Sequence, residues 1–171
     1  QKVWLGLDLS KTRDMSCLCL IFKSDDENPL FHVHPFFWIP EKYAQENSDK
    51  ASFFEWEKEG WLDIISGETI KQSFIRDKMD WIDSKFAVQG IAYDKTYAFD
   101  LINDHCENSL GWECVQFNQS ISTYAGPVSN LEEIIVDGRF RHNDNPVLNW
   151  QAGHVQIKQG DRGGRIPVKP K

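Results

Sequence analysis

The chain has 171 residues, of which 40% are hydrophobic, and it carries a formal net charge of −7. This composition excludes a disordered chain, and the length favours one domain with a substantial core. No apolar run approaches the roughly 20 residues of a membrane span. The four cysteines lack the Cys-x-x-Cys spacing of a zinc site. The negative net charge argues against a protein that binds nucleic acid by bulk electrostatics.

The first forty residues predict an antiparallel meander of three strands. Strands are expected over Lys2–Leu9, Met15–Phe22 and Leu30–Trp38, because each run is apolar or aromatic and is bounded by turn-forming residues. The acidic segment 24–29 then forms the hairpin connection between the second and third strands. Residues 41–60 are polar with interspersed aromatic side chains, which favours one or two short helices on a long excursion.

The middle of the chain predicts helices that alternate with strands. Ile75–Phe86 has apolar residues at the three-and-four spacing of an amphipathic helix. It leads into a strand over Val88–Tyr93. A second helix is expected over Tyr97–Cys106, with Phe99 facing inward, followed by a strand over Glu113–Phe117.

Capping signals predict two more helices in the last third of the chain. A helix is expected over Ser129–Val136, where its first residue and Glu132 form a capping box and Gly138 ends it. Another helix begins at Pro146, a residue favoured at the first helical position. A last short strand is expected over His154–Lys158.

This order of elements predicts the fold class. Three antiparallel strands followed by helix and strand units give an α/β fold, in which a mixed sheet is flanked by helices. The arrangement is ribonuclease H-like, and it also serves integrases, resolvases and, in a related form, actin-like ATPases. Fold alone therefore does not determine function.

Two aspartates stand where predicted strands end. Asp8 closes the apolar run 3–7, and Asp94 closes the run 88–93. If these strands are neighbours, the two carboxylates lie close together, and like charges at short range are tolerated mainly when a cation lies between them. The sequence therefore predicts a site for a hard divalent metal, although a single aspartate after a strand is more often a turn former or a helix cap.

Charge is distributed unevenly along the chain. Acids crowd positions 25–27 and 41–83, whereas the segment from 158 to 171 is basic. This basic segment either makes local contacts with phosphates or is simply a solvated terminus, and both interpretations stay open. The basic residues concerned are Lys158, Arg162, Arg165, Lys169 and Lys171.

Motifs spread over nearly the whole chain suggest a family. They are Leu5-Gly6-Leu7-Asp8-Leu9-Ser10 with Thr12-Arg13-Asp14, Phe37-Trp38-Ile39-Pro40, Gly90-Ile91-Ala92-Tyr93-Asp94, Leu131 to Ile135 with Gly138-Arg139, and His142-Asn143-Asp144-Asn145-Pro146-Val147-Leu148-Asn149-Trp150. In this order they resemble the C-terminal nuclease domain of the phage terminase large subunit, the DNA-packaging motor of tailed bacteriophages.

The resemblance implies a set of site residues. Asp8 and Asp94 would be two acids of a catalytic two-metal centre, with Asp8 bridging two Mg²⁺ or Mn²⁺ ions and Asp94 binding one of them. Asp14 would be an accessory metal-site carboxylate at the mouth of the first hairpin. The family pattern also implies a further aspartate on a helix after the final strand. Here the sequence departs from it, because Asp161 lies in a glycine-rich loop before the place of that helix.

The resemblance also implies a function and partners. The expected activity is a metal-dependent endonuclease that cuts concatemeric double-stranded viral DNA by phosphodiester hydrolysis. The expected partners are double-stranded DNA, the small terminase subunit and the portal protein, in the host cytoplasm. No membrane is expected among the partners.

Residues 1–171 are expected to form a single nuclease domain, without the upstream ATPase domain and the last C-terminal helix. No Gly-x-x-x-x-Gly-Lys-Ser/Thr motif of a motor ATPase is present in the sequence. Two alternatives stay open. One is an actin-like nucleotide-binding lobe, because the segment 6–12 resembles a phosphate-binding hairpin. The other is a non-catalytic docking module on the same fold.

Overall fold

A mixed sheet of seven strands organises the chain in the computed structural model, which describes residues 1–10, 12, 14–160 and 164–168. The strands of this sheet are β1 Lys2–Asp8, β2 Ser16–Lys23, β3 Phe31–Pro40, β4 Asp63–Ile65, β5 Ala87–Tyr93, β6 Cys114–Gln116 and β7 Phe140–Arg141. Two further strands, β8 Gln156–Gln159 and β9 Arg165–Val168, lie outside it. The helices are α1 Glu41–Glu46, α2 Phe53–Lys58, α3 Gln72–Asp83, a π-helix at Leu101–Glu107, α4 Ile121–Val136 and α5 Pro146–His154.

The strand order is β4-β3-β2-β1-β5-β6, and β7 also pairs with β3. Strands β1, β2 and β3 form the antiparallel meander that the sequence predicts. Strand β5 then lies parallel to β1, and β6 lies parallel to β5. The predicted α/β mixed sheet flanked by helices is therefore confirmed, and β8 and β9 form a separate antiparallel hairpin.

The core lies mainly on one face of this sheet. Side chains alternate between faces along a strand, so Val3, Leu5 and Leu7 of β1 point together into the core, where each is at most 5% exposed. Helix α3 and the π-helix cover this face and contribute Met79 and Leu101, both fully buried. The centre of the sheet is thereby sealed on one side.

A second apolar cluster lies where α1, α2 and α5 meet the end of β3. Its centre is Phe53, which is 1% exposed and has Trp150 edge-on, at 5.9 Å between ring centroids. Val147 of α5 and Ile39 of β3 are fully buried in the same cluster. Asn145 caps α5 by accepting a hydrogen bond from the Leu148 N–H at 3.0 Å, and the predicted start of this helix is confirmed.

Helix α4 begins eight residues earlier than the sequence predicts. Its N-cap is Ser120, whose side chain accepts from the Thr123 N–H, so Ser129 lies inside the helix and the capping box with Glu132 is wrong. The prediction failed because Pro127, which cannot donate a helical hydrogen bond, lies within α4 rather than before it.

The end of α4 is confirmed. Gly138 has a φ of +64° and its N–H bonds the Ile135 carbonyl, and the Arg139 N–H bonds the Ile134 carbonyl. This is the left-handed stop that a glycine permits after a helix.

The helix predicted over Tyr97–Cys106 differs in type and face. Tyr97 has a φ of +64°, and the segment that follows becomes a π-helix. Wider i to i+5 hydrogen bonding changes which side chains share a face. Phe99 lies between the left-handed Tyr97 and the π-helix, outside the regular helix predicted from Tyr97 onward. It is 63% exposed and its inward assignment is wrong, whereas Leu101 is buried as expected.

The basic C-terminal segment is partly structured. Lys158 is exposed on β8, whereas Arg165 of β9 forms an ion pair with Glu132 of α4. The other tail cations and Asp161 lie outside the described residues. Within the described part of the chain, no helix is long and apolar enough to cross a membrane.

Candidate acid site at the ends of strands β1 and β5

Asp8 and Asp94 come from neighbouring parallel strands. Leu7 of β1 lies beside Tyr93 of β5, and the Asp94 N–H approaches the Leu7 carbonyl at 3.4 Å. Asp8 is the last residue of β1, and Asp94 directly follows β5. Since parallel strands end at the same edge of a sheet, both carboxylates are delivered to one place.

The two acids line a shared cavity of about 290 Å³. It lies on the sheet face opposite the sealed core, because Gly6 and Ala92, which precede the acids by two residues, also line it. Gly6 leaves the cavity open, since a Cβ atom there would meet nothing within 4 Å. The other lining residues are Leu7, Cys17, Cys19, Tyr93, Phe117, Gln119 and Tyr124.

The Asp94 carboxylate is held by two donors. Its Oδ1 accepts a hydrogen bond from the Thr96 N–H at 2.8 Å, and its Oδ2 accepts one from the Gln119 side-chain amide. Asp94 is half-buried, whereas Asp8 is exposed. Each Asp94 oxygen keeps further acceptor capacity for a cation.

Two cysteines lie beside the acids on β2. Cys17 is the register partner of Asp8, and Cys19 is the partner of Gly6. Burial raises the pKa of Cys17 well above its usual range, with smaller contributions from Cys19 and Asp8, and burial raises the pKa of Cys19 to about 12. Both thiols are therefore neutral near pH 7, and the charged donors of the cavity are carboxylates.

Tyr124, in the first turns of α4, forms another part of the wall. Burial raises the pKa of its hydroxyl, and the negative charges of Asp8 and Asp94 raise it further. The Tyr124 ring is held edge-on against Phe117, with centroids 5.0 Å apart. The hydroxyl therefore stays protonated and is a hydrogen-bond donor near the acid pair.

Asp14 is not among the residues that line this cavity. Its Oδ1 accepts a hydrogen bond from the Met15 N–H at 2.9 Å in the connection between β1 and β2. Among the residues that the structure describes, no group of three or more His, Cys, Asp or Glu side chains is arranged to hold a metal ion. The metal roles of Asp8, Asp94 and Asp14 stay predictions.

The donor set nevertheless fits a hard divalent cation. Two carboxylates share a cavity with neutral thiols, and Mg²⁺ and Mn²⁺ prefer oxygen ligands whereas thiolates select softer metals. Two like charges side by side also favour a cation between them.

Sequence reasoning missed Gln119 and Tyr124. Gln119 follows β6 in a loop without any motif, so nothing in the sequence places it beside Asp94. Tyr124 was missed because the predicted start of α4 fell after it. A correctly placed Ser120 cap would have moved Tyr124 from a loop to a helix start next to the sheet edge.

The fold and this acid pair define a ribonuclease H-like α/β domain that presents two carboxylates at the ends of neighbouring parallel strands. The family model described as "Terminase large subunit, endonuclease domain" matches residues 1–170. The chain belongs to this family, as its motifs indicate.

Two curated relatives match nearly the whole chain. The terminase large subunit of Enterobacteria phage HK97 is 30% identical over an alignment of 173 positions, which covers 100% of this chain and 34% of that protein. Protein YmfN of Escherichia coli strain K12 is 25% identical over 174 residues, covering 97% of this chain and 38% of that protein. The chain thus spans about a third of the length of these relatives.

Solved structures agree with the fold. The crystal structure of the HK97 bacteriophage large terminase matches with a TM-score of 0.84 at 29% identity, covering 98% of this chain and 35% of that one. The large terminase nuclease from thermophilic phage G20c matches with a TM-score of 0.56 at 13% identity, covering 99% and 73%. At this identity the second match supports the fold alone.

Proposed function

We propose that the chain is a metal-dependent endodeoxyribonuclease that hydrolyses phosphodiester bonds of double-stranded DNA. The observation that carries the proposal is the shared cavity of Asp8 and Asp94 at the ends of β1 and β5, in a chain that belongs to the terminase nuclease family. Two carboxylates that share one cavity suit a site that concentrates cations against the charge of a DNA backbone.

In this proposal Asp8 and Asp94 hold two Mg²⁺ or Mn²⁺ ions, and Asp14 is an accessory carboxylate. When bound, such ions would make a nucleophile available at neutral pH and would offset the charge of the leaving oxygen. The protein's own contribution is rigid placement of the carboxylates. The protonated Tyr124 hydroxyl adds a donor that a phosphate oxygen entering the cavity can accept from.

The biological substrate in this proposal is concatemeric viral DNA, cut during packaging in the host cytoplasm. The small terminase subunit and the portal protein would be its partners. The net charge of −7 supports dependence on an assembly, because an acidic body gains little from counterion release on DNA. Grip and positioning on the duplex would then come from other components of the packaging motor.

A plasmid-nicking assay tests the activity. The chain is incubated with supercoiled DNA in Mn²⁺, and conversion to the nicked or linear form is followed. Asp8→Asn should abolish cleavage while the fold stays intact, since the substitution removes charge but keeps an acceptor. Asp25→Asn, in the exposed connection between β2 and β3, is the matched control and should cleave as the wild type does.

The same samples separate the alternatives. An actin-like lobe would bind ATP in calorimetry and would not nick DNA. A docking module would do neither. Cleavage by the Asp8→Asn variant equal to that of the wild type would refute the assignment of this residue.

A further inference from the structure

The connection between β6 and α4 brings an uncharged side chain onto one of the two acids. The Gln119 side-chain amide donates a hydrogen bond to Asp94 Oδ2, while the Thr96 N–H donates to Oδ1. Both oxygens of one carboxylate are therefore fixed by donors from outside β5. Asp94 cannot rotate about its χ2 without losing at least one of these bonds.

We propose that Gln119 is a positioning residue that orients the Asp94 carboxylate toward the cation of the acid site. This inference rests on the proposed metal-dependent function. Outer-shell donors of this kind fix the plane of a ligating carboxylate, and losing them typically lowers metal affinity about 10- to 100-fold. Gln119 would act through Asp94 and not as a ligand itself.

The loop that carries Gln119 is anchored at both ends. The Phe117 N–H bonds the Tyr93 carbonyl at 2.8 Å, which ties the start of the loop to the residue before Asp94. Ser120 caps α4 through the Thr123 N–H, which fixes the other end. Gln119 is thus held between two fixed points, and less conformational entropy is lost when its amide meets Asp94 than on a free loop.

The chemistry of the amide also suits this role. A lysine or arginine in the same place would form an ion pair with Asp94 and would oppose a metal cation. A neutral amide orients the carboxylate and leaves its full negative charge available. An acid in place of Gln119 would repel Asp94 and would add a third charge to the pair.

Calorimetric titration of the 171-residue chain with MnCl₂ tests the proposal without depending on cleavage. Gln119→Met keeps the side-chain length but removes the donor, and Gln119 is exposed, so the variant should fold. Its Mn²⁺ affinity should fall about 10- to 100-fold with an unchanged melting temperature. Gln116→Met is the matched control, because Gln116 is also exposed and its amide donates a hydrogen bond to Asn118 rather than to an acid.

The control should bind Mn²⁺ within about twofold of the wild type, the scale of a neutral surface substitution. An Asp94→Asn variant provides the reference for loss of the site. If the wild type binds, Asp94→Asn does not, and Gln119→Met matches Gln116→Met, the positioning role is refuted while the proposed function stands. If the wild type and Asp94→Asn both fail to bind Mn²⁺, the metal site itself is refuted and the inference falls with it.

Discussion

The two faces of strands β1 and β5 differ sharply although they are built from alternate residues of the same segments. On one face Leu5 is 3% exposed and Ile91 is 1% exposed, under α3 and the π-helix. On the other face Gly6, Asp8 and Asp94 line an open cavity. A period of two residues thus separates the side chains that stabilise the fold from those available for chemistry.

This contrast shows how a pair of acids can be held close together. Side-chain packing on the sealed face fixes the strands, and the ladder between β1 and β5 fixes their register. Packing on the sealed face therefore offsets the electrostatic repulsion between the two neighbouring carboxylates. Substitutions on the open face should change function with little loss of stability, whereas substitutions on the sealed face should do the reverse.

After Asp8→Asn, the largest effect is expected for Asp94→Asn. Metal-assisted charge stabilisation contributes several kcal/mol, and at 1.36 kcal/mol per tenfold we expect cleavage to fall about 10²–10⁴-fold. The free energy of unfolding should stay within about 0.5 kcal/mol of wild type. Nicking rates in Mn²⁺ and urea denaturation measure both quantities. An Asp94→Asn variant that loses its stability along with its activity would break the separation of the two faces.

The next largest effect concerns the sealed face. Leu5→Ala should lower the free energy of unfolding by about 2–5 kcal/mol, because it leaves a cavity in a packed core. Lys2→Ala, on the same strand but exposed on the other face, should change it by less than about 0.5 kcal/mol. Equal losses in urea denaturation of these two variants would contradict the assignment of the faces.

Cys19, which faces the cavity, should make the stability of the fold depend on alkaline pH. Because burial raises its folded-state pKa from 9.0 to about 12, the unfolded chain loses this proton first as pH rises. The stability that comes from this thiol is present below pH 9 and is lost between about 9 and 12. Over this range the contribution of Cys19 to the free energy of unfolding should fall by up to roughly 1.4 kcal/mol per pH unit.

Denaturation of reduced protein across this range checks the prediction. Cys19→Ala should remove the part of this pH dependence of the free energy of unfolding that comes from the Cys19 thiol. An identical pH dependence in both proteins would show that the Cys19 thiol ionises as freely in the folded state as in the unfolded chain.

The smallest effect is expected away from both faces, at the start of α5. Asn145→Ala should cost about 1 kcal/mol, since it removes the side-chain acceptor for the Leu148 N–H. Asn149→Ala, exposed within the same helix, should be neutral or slightly stabilising because alanine favours helices. Thermal unfolding of the two variants distinguishes a capping effect from a general effect of removing an asparagine.

Much of this architecture could be predicted from the sequence because it depends on local patterns. Alternating apolar runs located the meander and β5, and a strand that ends in an aspartate indicated where Asp8 and Asp94 would lie. The α5 start followed from Pro146, because a proline at the first helical position is a local signal.

What could not be predicted depends on tertiary structure. The π-helix forms from the same residue types as an α-helix, and no local pattern encodes the left-handed φ of Tyr97 before it. Neither the helix type nor the exposure of Phe99 could therefore be predicted. Strand β7 has only two residues and exists through its pairing with β3. Gln119 reaches Asp94 only because the loop after β6 returns to the sheet edge, which no local signal encodes.

We propose that Asp8 and Asp94 share a divalent cation, and a crystal structure of the chain soaked in MnCl₂ would show whether they do. We expect an anomalous difference peak in the cavity that contacts a carboxylate oxygen of each residue. Peaks that contact neither residue, or no peak at Mn²⁺ concentrations that support DNA cleavage, would contradict it.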